Sequence, residues 1–82
     1  MREGEFKINA KGLSLRGPRM MVESELSKEK CRWLRVIVSD LGAVDDLREY
    51  FTSMGAADIE VDRVGEDYHV VVELGVEAND KT

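Results

Sequence analysis

Trp33-Leu34-Arg35-Val36-Ile37-Val38-Ser39 constrains the fold more than any other stretch of the chain. Leu34, Val36 and Val38 alternate with Trp33, Arg35 and Ile37, and both series are largely apolar. A strand that is apolar on both sides belongs inside a sheet. With 82 residues, the chain has room for one core between two layers, because a domain of this size hides only about 60% of its unfolded surface. The other segments must therefore supply the remaining strands and a single covering layer.

Residues 6–10 read as a short first strand, in which Phe6 and Ile8 alternate with Lys7 and Asn9. Residues 12–17 form a loop with a glycine at each end. Pro18 fits the first turn of a helix, where its missing N–H has no helical partner to lose. That helix is expected to run to about Glu29, with Met21, Val22 and Leu26 inward and Glu23, Glu25, Lys28 and Glu29 outward. After residues 33–39, Asp40-Leu41-Gly42 turns the chain into a second helix. Its stripe is Val44, Leu47, Phe51 and Met54, opposite Asp45, Arg48 and Glu49. Asp45 and Asp46 are expected in its first turn, at the positive end of the helix dipole, and Gly55 supplies the stop. Residues 58–64 and 68–74 are two strands around Gly65-Glu66-Asp67, a hairpin-length connection. Residues 75–82 read as a frayed polar tail.

The order βαβαββ implies an α+β two-layer sandwich: a mixed four-stranded sheet covered on one face by two helices. One domain spans 1–82, with its ordered core at about 6–74. No apolar run is long enough to cross a membrane, and Met1-Arg2-Glu3-Gly4-Glu5 has no apolar signal region, so a cytoplasmic location is expected. One cysteine cannot build a disulfide framework or a thiolate zinc site, and no cofactor or metal is implied. The net charge of −5 is divided unevenly, +4 over residues 1–35 and −9 over residues 36–82. An acidic total opposes nonspecific nucleic-acid binding, which rests on neutralising phosphates. A bipolar domain suits docking on a partner of matching polarity, although the same charges also serve solubility.

Gly12-Leu13-Ser14-Leu15-Arg16-Gly17-Pro18 resembles the signature of the TusA/SirA-type sulfur-carrier family, Gly-Leu-x-Cys-Pro-x-Pro. Gly12, Leu13 and Pro18 keep the pattern. Leu15 stands in the place of the cysteine, and Arg16 in that of the first proline. Met20-Met21-Val22 after the proline, Ser39-Asp40 before Gly42-Ala43-Val44-Asp45-Asp46, and Met54-Gly55 extend the likeness over residues 7–74. The resemblance implies the same βαβαββ layout. It also implies partners in sulfur trafficking, such as cysteine desulfurases, sulfurtransferases or DsrE-like acceptors. In that family the cysteine carries a persulfide at a helix N-terminus, where unpaired N–H groups and the dipole stabilise a thiolate. Leucine has no lone pair and no ionisable group, so sulfur carriage at position 15 is excluded.

Six further features call for a reading beside this one. Ser14 is adjacent but has no base arranged to activate it, and a loop or capping role accounts for it. Cys31, among Lys28, Lys30, Arg32 and Arg35, is either a partly buried thiol or a reactive one favoured by those cations. Because it follows the first helix, it is expected at the opposite pole from position 15. Arg16, Gly17, Pro18 and Arg19 could form a small anion or partner site, two guanidinium groups beside backbone N–H groups at a helix start. Trp33 is either a partner anchor or packed at a sheet edge or under a loop. His69 has no second His or Cys nearby to suggest a metal. Asp40, Asp45, Asp46 and Glu49 resemble a cation site, but a helix start explains Asp45 and Asp46 better. The preferred function is a non-catalytic protein-binding or accessory module. A carrier using Cys31 is the alternative, nucleic-acid contact is disfavoured, and a sheet with one open face allows a homodimer.

Overall fold

The computed structural model describes residues 5–13, 16–28 and 30–74. Its elements follow the expected order: β1 (Glu5–Asn9), α1 (Gly17–Leu26), β2 (Trp33–Val38), α2 (Leu41–Ser53), β3 (Asp58–Val64) and β4 (Asp67–Glu73). The sheet order is β1-β2-β4-β3. β1 pairs parallel with β2, while β4 runs antiparallel to both β2 and β3. The fold is thus the α+β arrangement expected, a mixed four-stranded sheet with two helices.

β2 and β4 are the two inner strands, and they are also the two whose sequences are apolar on both sides. Leu34, Val36 and Val38 of β2 and Val70 and Val72 of β4 are fully buried against the helices. Val22 of α1 and Val44, Leu47 and Phe51 of α2 close the core from above. Lateral pairing on both sides removes the edge, so only the outward side chains of these strands remain to meet water. Val71 points to the uncovered face, the one that no helix among the described residues covers, and is nevertheless 1% exposed.

Several boundaries differ from the sequence reading: β1 and β4 each begin and end one residue earlier than expected, and the helices differ more. α1 stops at Leu26, with Ser27 capping it and donating its hydroxyl to the Ser24 carbonyl at 2.8 Å; Glu29 lies outside the described residues. α2 begins at Leu41, so Asp45 and Asp46 fall in its second turn and not its first. The N-cap is Asp40, whose Oδ1 accepts the Ala43 N–H at 2.9 Å from an extended backbone. A carboxylate there satisfies one of the helix's orphan donors directly. Met54 continues the apolar stripe in sequence but is half exposed. It is the C-cap, and the chain turns away at Gly55 before Ala56 packs on the core in its place. The frayed tail expected at 75–82 lies outside the described residues.

Candidate functional site

Because β1 and β2 are parallel, the helices that follow them both begin at the same end of the sheet. β4 is antiparallel to β2, with Tyr68 opposite Val38, so the Gly65-Glu66 turn lies at this end too. In layouts of this kind, the space beyond the carboxyl ends of parallel strands is where side chains from separate loops converge.

The loop from β1 to α1 is tied down by named contacts. Ala10 donates its N–H to the Ile37 carbonyl at 2.8 Å, and Gly12 N–H reaches the Ser39 hydroxyl at 3.1 Å. Lys11 pairs with Asp67 at 3.4 Å, joining the loop to the start of β4. Gly12 has φ +86°, a conformation that L side chains rarely adopt. Gly17 is required for a different reason: a Cβ there would lie 2.8 Å from the Leu13 Cβ. Leu13 thus packs onto the first residue of α1. Pro18 follows in the first turn and is fully buried. Gly12, Leu13, Gly17 and Pro18 therefore have a conformational role in the approach to α1. Ser14 and Leu15 lie outside the described residues.

Arg16 occupies the N-cap of α1 without a side-chain cap, and its carbonyl accepts the Met20 N–H at 2.9 Å. Its side chain is exposed and makes no ion pair among the described residues. Arg19 is engaged differently. Its guanidinium lies 3.6 Å from Asp46 and 4.0 Å from Glu23, and 5.5 Å from the centre of the Tyr50 ring. It thereby bridges α1 to α2. Burial and the nearby Glu23 carboxylate push the Tyr50 hydroxyl above its ordinary range, with Arg19 opposing.

Between the two helix starts lies an open groove of about 680 Å³, lined by Arg16, Gly42, Asp45, Asp46 and Glu49. Of Arg16, Gly17, Pro18 and Arg19, the structure places only Arg16 in the lining of this groove; Pro18 is buried, and Arg19 is held by Asp46 and Glu23. The structure also sets Asp45, Asp46 and Glu49 of the acidic cluster beside Arg16, a juxtaposition not visible along the chain. An anion approaching Arg16 meets Asp45, Asp46 and Glu49 at once, and Arg19 is already committed to two acids. Like charge near a prospective anion offsets much of the attraction. Large apolar side chains surround this end of the molecule: Leu13, Met20 (64% exposed), Leu41 (57% exposed) and Val64.

Cys31 lies at the other end, in the segment from α1 to β2, half buried against the core. Two of the cations near it in sequence are occupied nearby: Arg32 with Glu73 at 3.1 Å and Lys28 with Glu25 at 4.0 Å. Paired cations do less to favour a thiolate than unpaired ones. Among the described residues, no three His, Cys, Asp or Glu side chains are placed to hold a metal ion. No helix among them is long and apolar enough to cross a membrane.

The uncovered face of the sheet holds a network that sequence reasoning missed. Arg35 donates from Nε to Glu5 Oε1 at 3.0 Å and from Nη1 to His69 Nδ1 at 2.8 Å. Arginine has no acceptor, so Nδ1 must accept, and the neutral ring carries its proton on Nε2. The Glu5 side chain is only 7% exposed, and its Oε2 is buried without a hydrogen-bond partner. The signal was present in outline, since Glu5, Arg35 and His69 all occupy outward positions. The pairing of three distant segments that joins them is not visible along the chain.

Burial lowers the His69 pKa below 6.5, and Arg35 and Lys7 lower it further; Asp67 and Asp62 oppose them. Protonation thus favours the unfolded chain. The contribution of neutral His69 to stability is complete above pH 6.5 and declines as the pH falls through that value toward the depressed folded pKa. The melting temperature should fall between pH 7.5 and pH 5.5, and His69→Gln should show a smaller fall. Equal falls in the two proteins would remove His69 as the cause.

No protein-family model, curated protein or solved structure matches this chain.

Proposed function

We propose that this chain is a TusA/SirA-like protein-binding module that carries no sulfur itself and acts as an accessory in sulfur trafficking. One observation carries this reading: Leu15 replaces the cysteine inside an otherwise recognisable Gly-Leu…Pro approach to a helix. The βαβαββ order is the layout that this resemblance implies. Gly12 and Gly17 support the same loop shape in the absence of the thiol. The partners on this reading are sulfur-relay proteins, namely a cysteine desulfurase, a sulfurtransferase or a DsrE-like acceptor. The docking surface is the end that bears Arg16, Met20 and Leu41, where exposed apolar side chains border a charged groove. Such a mixture of apolar contact and polar rim is what protein interfaces use.

The competing reading is a carrier that uses Cys31. The two separate in one experiment with purified desulfurase, sulfurtransferase and DsrE-like protein. The module should bind at least one of them equally well with and without Cys31→Ala, and should gain no persulfide in intact-mass measurements after exposure to desulfurase and cysteine. Met20→Asp with Leu41→Asp should weaken that binding at least tenfold, since buried apolar anchors dominate interface energy. A persulfide on Cys31 at high occupancy, or loss of binding in Cys31→Ala, would overturn the proposal in favour of the carrier.

A further inference from the structure

The outer edge of β3 is the longest unpaired backbone edge among the described strands. β3 lies at the end of the sheet order, and all seven of its residues pair one-to-one with β4. Its register has no bulge, and the chain's single proline is elsewhere, at position 18. A regular edge strand presents N–H and C=O groups in the spacing that another strand would match. The other edge strand, β1, has five residues.

The side chains of β3 are sorted by face. Ile59 and Val61 point toward the helices and pack on the core. Asp58, Glu60 and Asp62 point to the uncovered face, all three exposed. They sit at i, i+2 and i+4, a spacing of about 6.6–7 Å between neighbours. Glu73 and Asp67 of β4, in register with Asp58 and Val64, are already paired with Arg32 and Lys11, so the acidic row is that of β3 itself.

This pattern discriminates between occupants. A second copy joining β3 to β3 would set its own Asp58, Glu60 and Asp62 on the same face, and like charges across a strand pair are destabilising. β1 of a second copy would bring one cation, Lys7, together with Glu5. An incoming strand with Lys or Arg at every second position would place cations beside the Asp58 and Asp62 carboxylates. Its alternate side chains, if apolar, would continue the Ile59–Val61 row.

We propose that the outer edge of β3 is a strand-addition site for an extended protein segment with basic residues at alternate positions and apolar ones between them. The inference rests on the reading of the chain as a protein-binding module, but not on the sulfur context. Main-chain hydrogen bonds supply the pairing, and the alternating side chains supply the selection. Contact is confined to one strand, so binding should be weak and salt-dependent.

The test uses the full chain and three nine-residue peptides: one alternating lysine with valine, one with the same composition in blocks, and one alternating glutamate with valine. The alternating lysine peptide should bind at least tenfold tighter than the blocked one, and the glutamate peptide should show no binding. It should also slow amide hydrogen exchange along residues 58–64. Asp58→Lys with Asp62→Lys, at exposed positions where the fold should tolerate them, should reverse the preference toward the glutamate peptide; a thermal melt checks folding. Equal binding of the alternating and blocked lysine peptides would reduce the site to general charge attraction and overturn the proposal. So would tight binding that leaves exchange at 58–64 unchanged. If a relay partner binds the module and Asp58→Lys/Asp62→Lys does not affect it while the peptides fail, the β3 site is wrong and the module reading stands. If peptides bind as expected and no relay partner does, the converse holds.

Discussion

Phe51→Ala is expected to lower the melting temperature by on the order of 15 °C or more and to leave the domain largely unfolded in mild denaturant. Phe51 is fully buried and is the largest side chain in the core. It lies on α2, between that helix and the sheet, with the Tyr50 ring at a 5.4 Å centroid distance. Truncating a buried phenylalanine costs about 3–5 kcal/mol, because the transfer energy is lost and the cavity collapses only in part. A chain of this length is stable by roughly 4–12 kcal/mol. One substitution therefore removes a large share of the total. Collapse is restricted here, because the core residues Val36, Val70 and Val72 belong to strands held in place by pairing. Thermal and urea unfolding of the two proteins measure the effect, and a shift below about 5 °C would mean that α2 does not close the core as described.

Arg35→Met should be the most damaging change on the uncovered face, at about 2 kcal/mol. It removes the counter-charge from Glu5, a carboxylate with a side chain almost fully enclosed and one oxygen already without a partner. Deleting one member of a fully buried pair costs about 3–5 kcal/mol. Arg35 is one-fifth exposed, so solvent reduces that figure. Replacing both charges should be milder than replacing one. Glu5→Leu combined with Arg35→Met should recover more than half of the loss, because no isolated charge remains to be kept out of water. Denaturant titrations of the single and double variants test this. If the double variant is as unstable as the sum of its parts, the pair is not what holds Glu5 in place.

Much of the architecture was legible along the chain because it depends on local periodicity. Trp33–Val38 alternates on both faces, and β2 became an inner strand. Val44, Leu47 and Phe51 recur at helical spacing, and all three are buried. Where local signals compete, the reading slipped. Asp40 and Asp45 both suit a helix start, and the choice between them depended on which one had an extended backbone aimed at Ala43. Met54 continues the stripe on a helical wheel, but the helix has ended by then, so its periodicity no longer determines its direction.

The end of the molecule that bears the groove was only half legible. Gly12, Gly17 and Pro18 stood out in the sequence, and their backbone roles are local. The acidic cluster stood out along its own helix, but its place opposite Arg16 did not, because Asp45, Asp46 and Glu49 meet Arg16 only when two parallel strands bring both helix starts to one end. The same holds for Glu5, Arg35 and His69, which come from three strands.

By itself, the order of residues determined which segments are helix and strand, and that position 15 holds an aliphatic side chain with no chemistry for sulfur. Both follow from short-range properties: side-chain period, backbone freedom and functional-group identity. Only the tertiary structure decided which charges become neighbours and which strand keeps an open edge. Those outcomes depend on strand order, and strand order is set by burying the apolar faces of the whole chain at once.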